Sequence, residues 1–405
     1  MISLEAARAL ITTATHVLPP ERIPLTQVLG RTLRESVAAV EDFPAFDRSA
    51  FDGYAVRSAD VPEKLRVVAE VSAGVGSAQI GSGECARIFT GAQLPVGADA
   101  VIMQEDCRRE GDTVSQLPAA FSASLRIPTL NFQLTKWQGV RRRGEDATAG
   151  TTLLHRGTRL GAVETSLLAQ LGHVLPLVGS EPRIFHITTG SELVPPDDTP
   201  GPGKIRDSNS TLIASLATEF GARVISQARV TDDLQLLLAT IGSVPHSDWD
   251  LLLISGGASV GDYDFGARAL VALGFSIHFS QINLRPGKPL IFATRGRQLA
   301  FVIPGNPLSH LVCWHVAIRA ALQILIAGET ELPLFPVVAA DLVPGNPRET
   351  WWPARLSIVD GKAVALPLKW RSSGDMSAMS GADLLLRIPM EGVSAGGVVE
   401  ALRLE

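Results

Sequence analysis

The 405-residue sequence predicts a mixed α/β multidomain protein built around a doubly wound α/β core domain. Three observations carry this expectation. The chain is too long for one ordinary hydrophobic core, so roughly two to four domains are expected. Between residues 180 and 328, short apolar runs alternate with helical patterns of ~10 residues, the order of a sheet covered by helices. Within that region Asp250–Ser255 (DLLLIS) is apolar without alternation, as a strand buried on both faces of a parallel sheet must be.

Taken in order, Ser3–Val17 reads as an amphipathic helix with Leu4, Ala7, Leu10, Ile11 and Ala14 on one face, ending at Pro19-Pro20. Leu25–Ser36 reads as a second helical stretch before the loop at Phe43-Pro44. From about residue 45 to 143, Val/Ile-rich runs (Leu65–Val71, Ala86–Thr90, Ala100–Gln104) lie between Gly, Pro and Asp turns, which predicts a small β-rich domain. Ala162–Leu171 is helical, with Gly172 as its C-cap. In the α/β region the expected order is strand Arg183–Thr189, helix Thr211–Phe220, strand Arg223–Val230, a helix capped by Thr231-Asp232 and running through Ile241, then the DLLLIS strand. Helix Phe265–Leu273, strands at Phe275–Ile282, Leu290–Thr294 and Leu299–Ile303, and a long helix over Leu308–Ala327 complete it. Beyond about residue 332 the chain is strand-like, with turns at Pro344-Gly345-Asn346 and Asp360-Gly361, which fits a small closed or sandwich β domain.

The apolar fraction of 46% and charged fraction of 19% are those of a globular protein. A net charge of −5 spread along the chain with no long like-charge run argues against duplex nucleic acid as a partner, although a local anion site needs only a few cations and oriented N–H groups. Cys85, Cys107 and Cys313 are odd in number and far apart, so they form neither a disulfide framework nor a metal knuckle. Glu5 and Arg8 interrupt the start, unlike a signal peptide, and no apolar run approaches the roughly 18 residues of a membrane span. A cytoplasmic protein with no membrane partner is expected.

Ligands of doubly wound sheets bind beyond the carboxyl ends of the strands. Three such loops are unusual. Ser255–Asp264 (SGGASVGDYD) combines Gly256 and Gly257, which let backbone approach a phosphate, and the hydroxyl of Ser259 with Asp262 and Asp264, which would repel one unless a cation such as Mg2+ lies between. Asp264 reads equally well as a helix N-cap. Glu192, in Thr188–Leu193, can face a metal, but that loop alone reads as an ordinary solvated Glu. Arg285 and Lys288 lie on the rigid Arg285-Pro286-Gly287-Lys288-Pro289 loop, one hairpin before Pro304-Gly305-Asn306-Pro307, and suit an oxyanion. Outside this region Phe46–Val56 alternates aromatics with Asp47 and Asp52. The histidines show no metal spacing, and no Ser/His/Asp triad is visible.

These motifs occur in a fixed order: FDRSAFDGYAV (46–56), TGAQLPVGADAVIMQE (90–105), RRGEDATAG (142–150), TTGSELV (188–194), GKIRDSNS (203–210), SGGASVGDYD (255–264), RPGKPL (285–290) and PGNPLS (304–309). The set closely resembles the molybdopterin molybdenumtransferase family, which includes the E domain of gephyrin-type proteins. The resemblance implies four domains: a split elongated domain (1–44 plus 144–179), a β-rich insertion (45–143), the α/β molybdopterin-binding domain (180–329) and a C-terminal β-barrel (330–405). It implies a Mg2+-dependent transferase that takes adenylyl-molybdopterin and molybdate as substrates, releases AMP and yields molybdenum cofactor. It also implies a homodimer, its cleft formed between the α/β domain of one subunit and the insertion domain of the other, and a molybdopterin adenylyltransferase as partner. The family's acidic and hydroxyl positions fall on Asp52, Thr90, Asp146, Glu192, Asp232 and Asp262, with Asp232, Asp262 and Glu192 toward the metal. Its phosphate- and molybdate-facing positions fall on Gly256, Gly257, Ser259, Arg285, Lys288, Pro304 and Pro307. The sequence departs from the family at Arg48 (commonly Asn), Ser191 (commonly Asp) and Arg285 (commonly Lys). Arg285 keeps its charge, whereas Ser191 removes a carboxylate beside Glu192.

Three alternatives stand beside this reading. A molybdopterin adenylyltransferase would resemble the α/β domain alone, so the 46–56 loop and the extra domains count against it. A non-catalytic gephyrin-like scaffold would not need the acidic loops. A tungsten-handling paralogue would share every motif, because tungstate and molybdate are nearly isosteric.

Overall fold

The computed structural model describes residues 1–61, 63–76, 78–117, 134–257, 265–359 and 361–404. The chain separates into two compact units, one of residues 36–155 with 170–172, the other of 1–35, 156–169 and 173–405.

The first unit is a mixed sheet of β1 (Gly53–Val56), β2 (Leu65–Val71), β3 (Glu84–Ile88), β4 (Ala100–Met103), β5 (Cys107–Glu110) and β6 (Thr113–Gln116). They lie in the order β4-β1-β3-β2-β6-β5. Its two faces are packed separately, one on Ala55, Ile88 and Val101 and the other on Tyr54, Val56 and Ile102. That split is the direct result of the period-2 alternation along each strand. Segments distant in sequence pair at its ends, Val37–Ala38 with Thr152–Leu154 and Arg48–Ser49 with Val140–Arg141.

In the second unit, Ser3 caps helix α1 (Leu4–Ala14), its hydroxyl accepting from Ala6 N–H at 3.1 Å. The helix stops three residues short of the expected Val17, and Leu10 is exposed while Leu4, Ala7 and Ile11 are buried. The helix expected over Leu25–Ser36 is not formed. Only Leu25–Gln27 makes a single 3-10 turn, and the chain then extends, with Gly30 N–H bonded to Leu160 O and Leu33 N–H to Thr158 O. Gly30 at φ +79° breaks the helical path, and those long-range backbone bonds replace the local ones. Helix α2 spans Ala162–Gln170.

The α/β domain follows the expected order closely: β7 (Arg183–Thr189), α3 (Asn209–Glu219), β8 (Arg223–Val230), α4 (Leu234–Gly242), β9 (Leu251–Ser255), α5 (Phe265–Ala272), β10 (Ser276–Phe279), β11 (Ile291–Arg295) and β12 (Gln298–Ile303). The sheet order is β8-β7-β9-β12-β11-β10, parallel across the first four strands and antiparallel over the last two. One face packs on α1, α3 and the long C-terminal helix through Ile184, Leu253 and Phe301. The other packs on α4 and α5 through Phe185, Leu252 and Ile254. Every residue of β9 is buried, which is why its sequence shows no alternation.

Asp233, not Asp232, caps α4, its carboxylate accepting from Leu236 N–H at 2.9 Å. The chain turns extended for one residue longer than expected, which leaves Asp232 on the rim of the sheet. An Asp233→Ala variant is expected to lower stability by about 1 kcal/mol in urea titrations without moving Asp232.

The long helix, α6 (Pro307–Ala327), contains a π-helical segment at Trp314–Ile318. Contrary to the expectation from apolar runs, it is long and apolar enough to cross a membrane. Ser309, His310, His315, Arg319 and Gln323 break the run, yet the helix is mostly buried as the central core helix of this unit.

Strands β13 (Leu334–Ala339), β14 (Glu349–Val359), β15 (Lys362–Pro367), β16 (Leu384–Ile388) and β17 (Val398–Arg403) form a ring in the order β14-β15-β13-β17-β16, closed by β16 on β14. Of the alternatives open from the sequence, this is the closed one, and closure leaves the ring without a terminal strand. Val337, Ala354, Leu386 and Ala401 fill its interior.

Candidate active site

Parallel register places the C-terminal ends of β7, β9 and β12 side by side, so the loops after Thr189, Ser255 and Ile303 begin together. Gly256 N–H donates to Ile303 O at 2.9 Å. Its φ is +93°, and a Cβ there would lie 2.6 Å from Thr189 O and 2.7 Å from Thr189 Oγ1, so only glycine fits. Gly257 is also in the left-handed region, and Gly305 stacks over Gly256. The surface presented here is bare backbone, as phosphate contact requires. Ser259, Asp262 and Asp264 lie outside the described residues.

Two acids stand on the same rim. Asp232 Oδ2 accepts from Ser191 N–H at 3.1 Å. Glu192 folds its carboxylate back over Gly190. Both are exposed. Ser191, where the family commonly has Asp, thus helps to fix Asp232. Among the described residues, no cluster of three or more His, Cys, Asp or Glu side chains is close enough to hold a metal. Two oxygen donors on one rim still fit Mg2+, which takes many of its ligands from water and substrate phosphate.

The cationic loop is fixed by the barrel. Leu284-Arg285 pairs in parallel with Glu349-Thr350 of β14, and the Arg285 guanidinium lies 5.1 Å from the Trp370 ring centroid. Gly287 packs on Cys313 of α6. Arg285 and Lys288 are half-buried, and neither forms an ion pair with any described residue. The segment carrying Trp370 also carries Ser373, whose Oγ accepts from Asn306 Nδ2 at 2.7 Å and whose carbonyl accepts from Leu308 N–H at 3.0 Å. Pro304 and Pro307 are half-buried in the loop so held. Neither Trp370 nor Ser373 stood out in the sequence, because nothing local distinguishes them from ordinary turn residues.

Asp207 and Asn209 belong to the GKIRDSNS motif but were not singled out. The buried Asp207 carboxylate accepts from Ser210 Oγ at 2.6 Å, Ser210 N–H at 3.0 Å and Thr188 Oγ1 at 3.0 Å, with Arg229 Nε at 3.3 Å. Burial alone would raise its pKa, but these donors and Arg229 hold it below the ordinary value. Asn209 Nδ2 donates to Gly305 O at 2.8 Å, so this motif supports the Pro304–Pro307 loop from beneath.

In the other unit, hydrogen bonds tie three motifs together: Ser49 N–H to Ala92 O, Gly91 N–H to Ser49 O, and Arg143 N–H to Asp47 Oδ1 at 2.7 Å. Asp52 Oδ1 accepts from both Thr90 N–H at 2.8 Å and Thr90 Oγ1 at 2.7 Å. Those two donors, with a smaller contribution from Arg87, hold the Asp52 carboxyl below its ordinary pKa. Arg87 escaped sequence reasoning because it sits on a regular strand. Its guanidinium lies against the Tyr54 and Phe89 rings and donates to Gln104 Oε1 at 2.8 Å. Asp146 pairs with Arg141.

Comparison with known proteins covers the chain from end to end. Residues 2–172 match the MoeA N-terminal region (domain I and II), 186–324 a probable molybdopterin binding domain, and 337–404 the MoeA C-terminal region (domain IV). A molybdopterin molybdenumtransferase of Bacillus subtilis is 31% identical over 94% of this chain and 89% of its own length. One from Nostoc sp. is 37% identical over 84% of this chain and 78% of its own. A crystal structure of a molybdopterin biosynthesis moeA protein from Pyrococcus horikoshii superposes with a TM-score of 0.80 at 26% identity, over 100% of both chains. With the motifs in order, the strand-end loops assembled and the relatives matching along the whole length, this chain belongs to the molybdopterin molybdenumtransferase family.

Proposed function

We propose that the protein inserts molybdenum from molybdate into adenylylated molybdopterin, releasing AMP and forming molybdenum cofactor. One observation carries the reading. Bare glycine backbone at Gly256 and Gly257, the Pro304–Pro307 loop and two cations without ion-pair partners among the described residues, Arg285 and Lys288, gather where β9 and β12 end and where the barrel buttresses them. This is chemistry for two anions.

In this mechanism the glycine loop receives the phosphates of the adenylylated substrate, and Arg285 and Lys288 hold molybdate. Asp232 and Glu192, joined by Asp262, would hold Mg2+, which when bound offsets the charge of the phosphoanhydride. Asp52, oriented by Thr90, serves the reaction from the insertion domain, and Asp146 from the split elongated domain. An oxygen of water or molybdate attacks the phosphoanhydride phosphorus as the P–O–P bond breaks, which releases AMP and leaves the molybdopterin phosphate, and the two dithiolene thiols bind molybdenum as one molybdate oxygen leaves as water. The side chains supply orientation and charge complementarity. A cytoplasmic homodimer that receives its substrate from an adenylyltransferase belongs to the same proposal.

The test is AMP release by the purified full chain supplied with adenylylated molybdopterin. AMP is expected only when molybdate and Mg2+ are both present. Release indifferent to molybdate would overturn the reading, and formation of the adenylate from ATP and unmodified molybdopterin would replace it with an adenylyltransferase.

A further inference from the structure

Beneath the anion loops lies a buried polar chain that the mechanism above does not use. Register places Gln227 of β8 beside His186 of β7, and Thr188, two residues on, beside Ser255 of β9. His186 and Ser255 therefore share the face of the sheet that carries α6, where His310 occupies the first turns. His186 Nε2 lies 2.7 Å from Ser255 Oγ, and His310 Nε2 lies 2.6 Å from the same oxygen. His310 Nδ1 lies 3.1 Å from Asn306 O, and Gln227 Nε2 lies 3.2 Å from His186 Nδ1. All three central side chains are almost fully buried, with His186 and His310 at 0% exposure and Ser255 at 2%.

Chemistry fixes every proton in this chain. A carbonyl oxygen only accepts, so His310 carries its proton on Nδ1. Burial holds both imidazoles neutral at pH 7, with pKa values pushed down to about 3 for His186 and about 4 for His310, although Asp207 nearby acts to raise both. Nε2 of His310 is therefore an acceptor, and the Ser255 hydroxyl donates to it. With its one hydrogen spent, Ser255 Oγ accepts from His186 Nε2–H. His186 Nδ1 is then an acceptor, and Gln227 supplies the donor. The Gln227 amide cannot flip, because its nitrogen also donates to Ser210 O at 2.9 Å. All four bonds run one way, from Gln227 to Asn306 O, and bonds aligned head to tail strengthen one another.

The chain ends on the loop that faces the anion. Asn306 O is held from below by His310 Nδ1 and by His310 N–H at 3.2 Å, while Gly305 O is held by Asn209 Nδ2. In a trans peptide C=O and N–H point oppositely, so drawing Gly305 O inward turns Asn306 N–H outward. That N–H has no partner among the described residues.

We propose that His186, Ser255 and His310 are positioning residues: a unidirectional hydrogen-bond chain that fixes the Pro304–Pro307 loop with its carbonyls turned inward, so that Asn306 N–H faces the oxyanion. This rests on the reading that the loop binds an anion. The histidines neither donate nor accept a proton in turnover.

The tautomers are tested directly. In the full chain labelled with 15N-histidine, long-range 15N–1H correlation at pH 7 is expected to show His310 as the Nδ1–H tautomer and His186 as the Nε2–H tautomer, assigned by loss of signals in His310→Asn and His186→Gln. The opposite tautomer at either site, or an imidazolium, overturns the proposal whatever the protein's activity. Kinetics test the role. Glutamine mimics the Nε2 end of histidine and asparagine the Nδ1 end. His310→Gln is therefore expected to raise KM for adenylylated molybdopterin about tenfold with kcat changed less than about threefold, and His310→Asn to restore most of that loss. Equal behaviour of the two variants would mean that the bond to Asn306 O does not position the loop. A parent protein that releases no molybdate-dependent AMP would defeat the functional reading instead, leaving the tautomer result to be judged by itself.

Discussion

An Asp52→Asn variant is expected to release AMP with kcat/KM lowered about 100-fold or more, while its urea midpoint stays at the parent value. The geometry separates these two effects. Oδ1 takes both Thr90 donors, and asparagine retains a carbonyl oxygen to accept them, so the loop keeps its shape. Oδ2 has no partner among the described residues, and it is the charge there that the variant removes. Because Thr90 depresses the Asp52 pKa, the carboxylate is ionised throughout the neutral range and its loss cannot be mimicked by mild acid. A variant that turns over at the parent rate would remove this loop from the chemistry. Thr90→Val provides the control, since it keeps the charge but loses the hydroxyl donor, and a smaller loss is expected.

Acid is expected to unfold this protein well above the range in which carboxylates titrate. His186, His310 and His315 are buried with folded pKa values pushed down to about 3, 4 and 3, chiefly by desolvation. In the unfolded chain each takes a proton near pH 6.5, so below that pH the unfolded state binds more protons and is favoured. Their contribution to stability is complete above pH 6.5 and falls as pH drops toward the folded values. Each group loses up to about 1.4 kcal/mol per pH unit, so the three together account for roughly 6 kcal/mol by pH 5. That is comparable with the total stability of many domains. Urea titrations between pH 7 and 4.5 should show the midpoint falling steeply. His315 isolates the cause, because neither ring nitrogen has a hydrogen-bond partner among the described residues and the ring packs edge-on to Phe220. His315→Leu is expected to raise stability at pH 5 and to flatten the dependence. An unchanged slope in that variant would show that carboxylates, not buried imidazoles, govern the acid limb.

The family and most elements of the α/β domain are legible in the sequence because they rest on local patterns. An unbroken apolar run marks β9, glycine ends helices at Gly221 and Gly274, and the anion loops are built from residue types whose backbone preferences are their own. Where the pattern was local but the outcome was not, the reading failed. Leu25–Ser36 has helical spacing, yet its backbone donors found Leu160, Thr158 and Leu177 far along the chain. The cap of α4 fell on Asp233 rather than Asp232, a shift of one residue that no periodicity resolves and that frees a carboxylate for the site.

By itself, then, the sequence determined which residue types stand at the strand ends and in what order. Only the tertiary structure decided which distant side chains support them: Trp370 and Ser373 from the barrel, Asn209 beneath Gly305, and the line from Gln227 through His186 and Ser255 to His310. The reason is physical. Backbone preference acts over a few residues and leaves its mark in composition, whereas a buried hydrogen bond depends on register between strands and on the helix that closes over them, and neither is written at any single position.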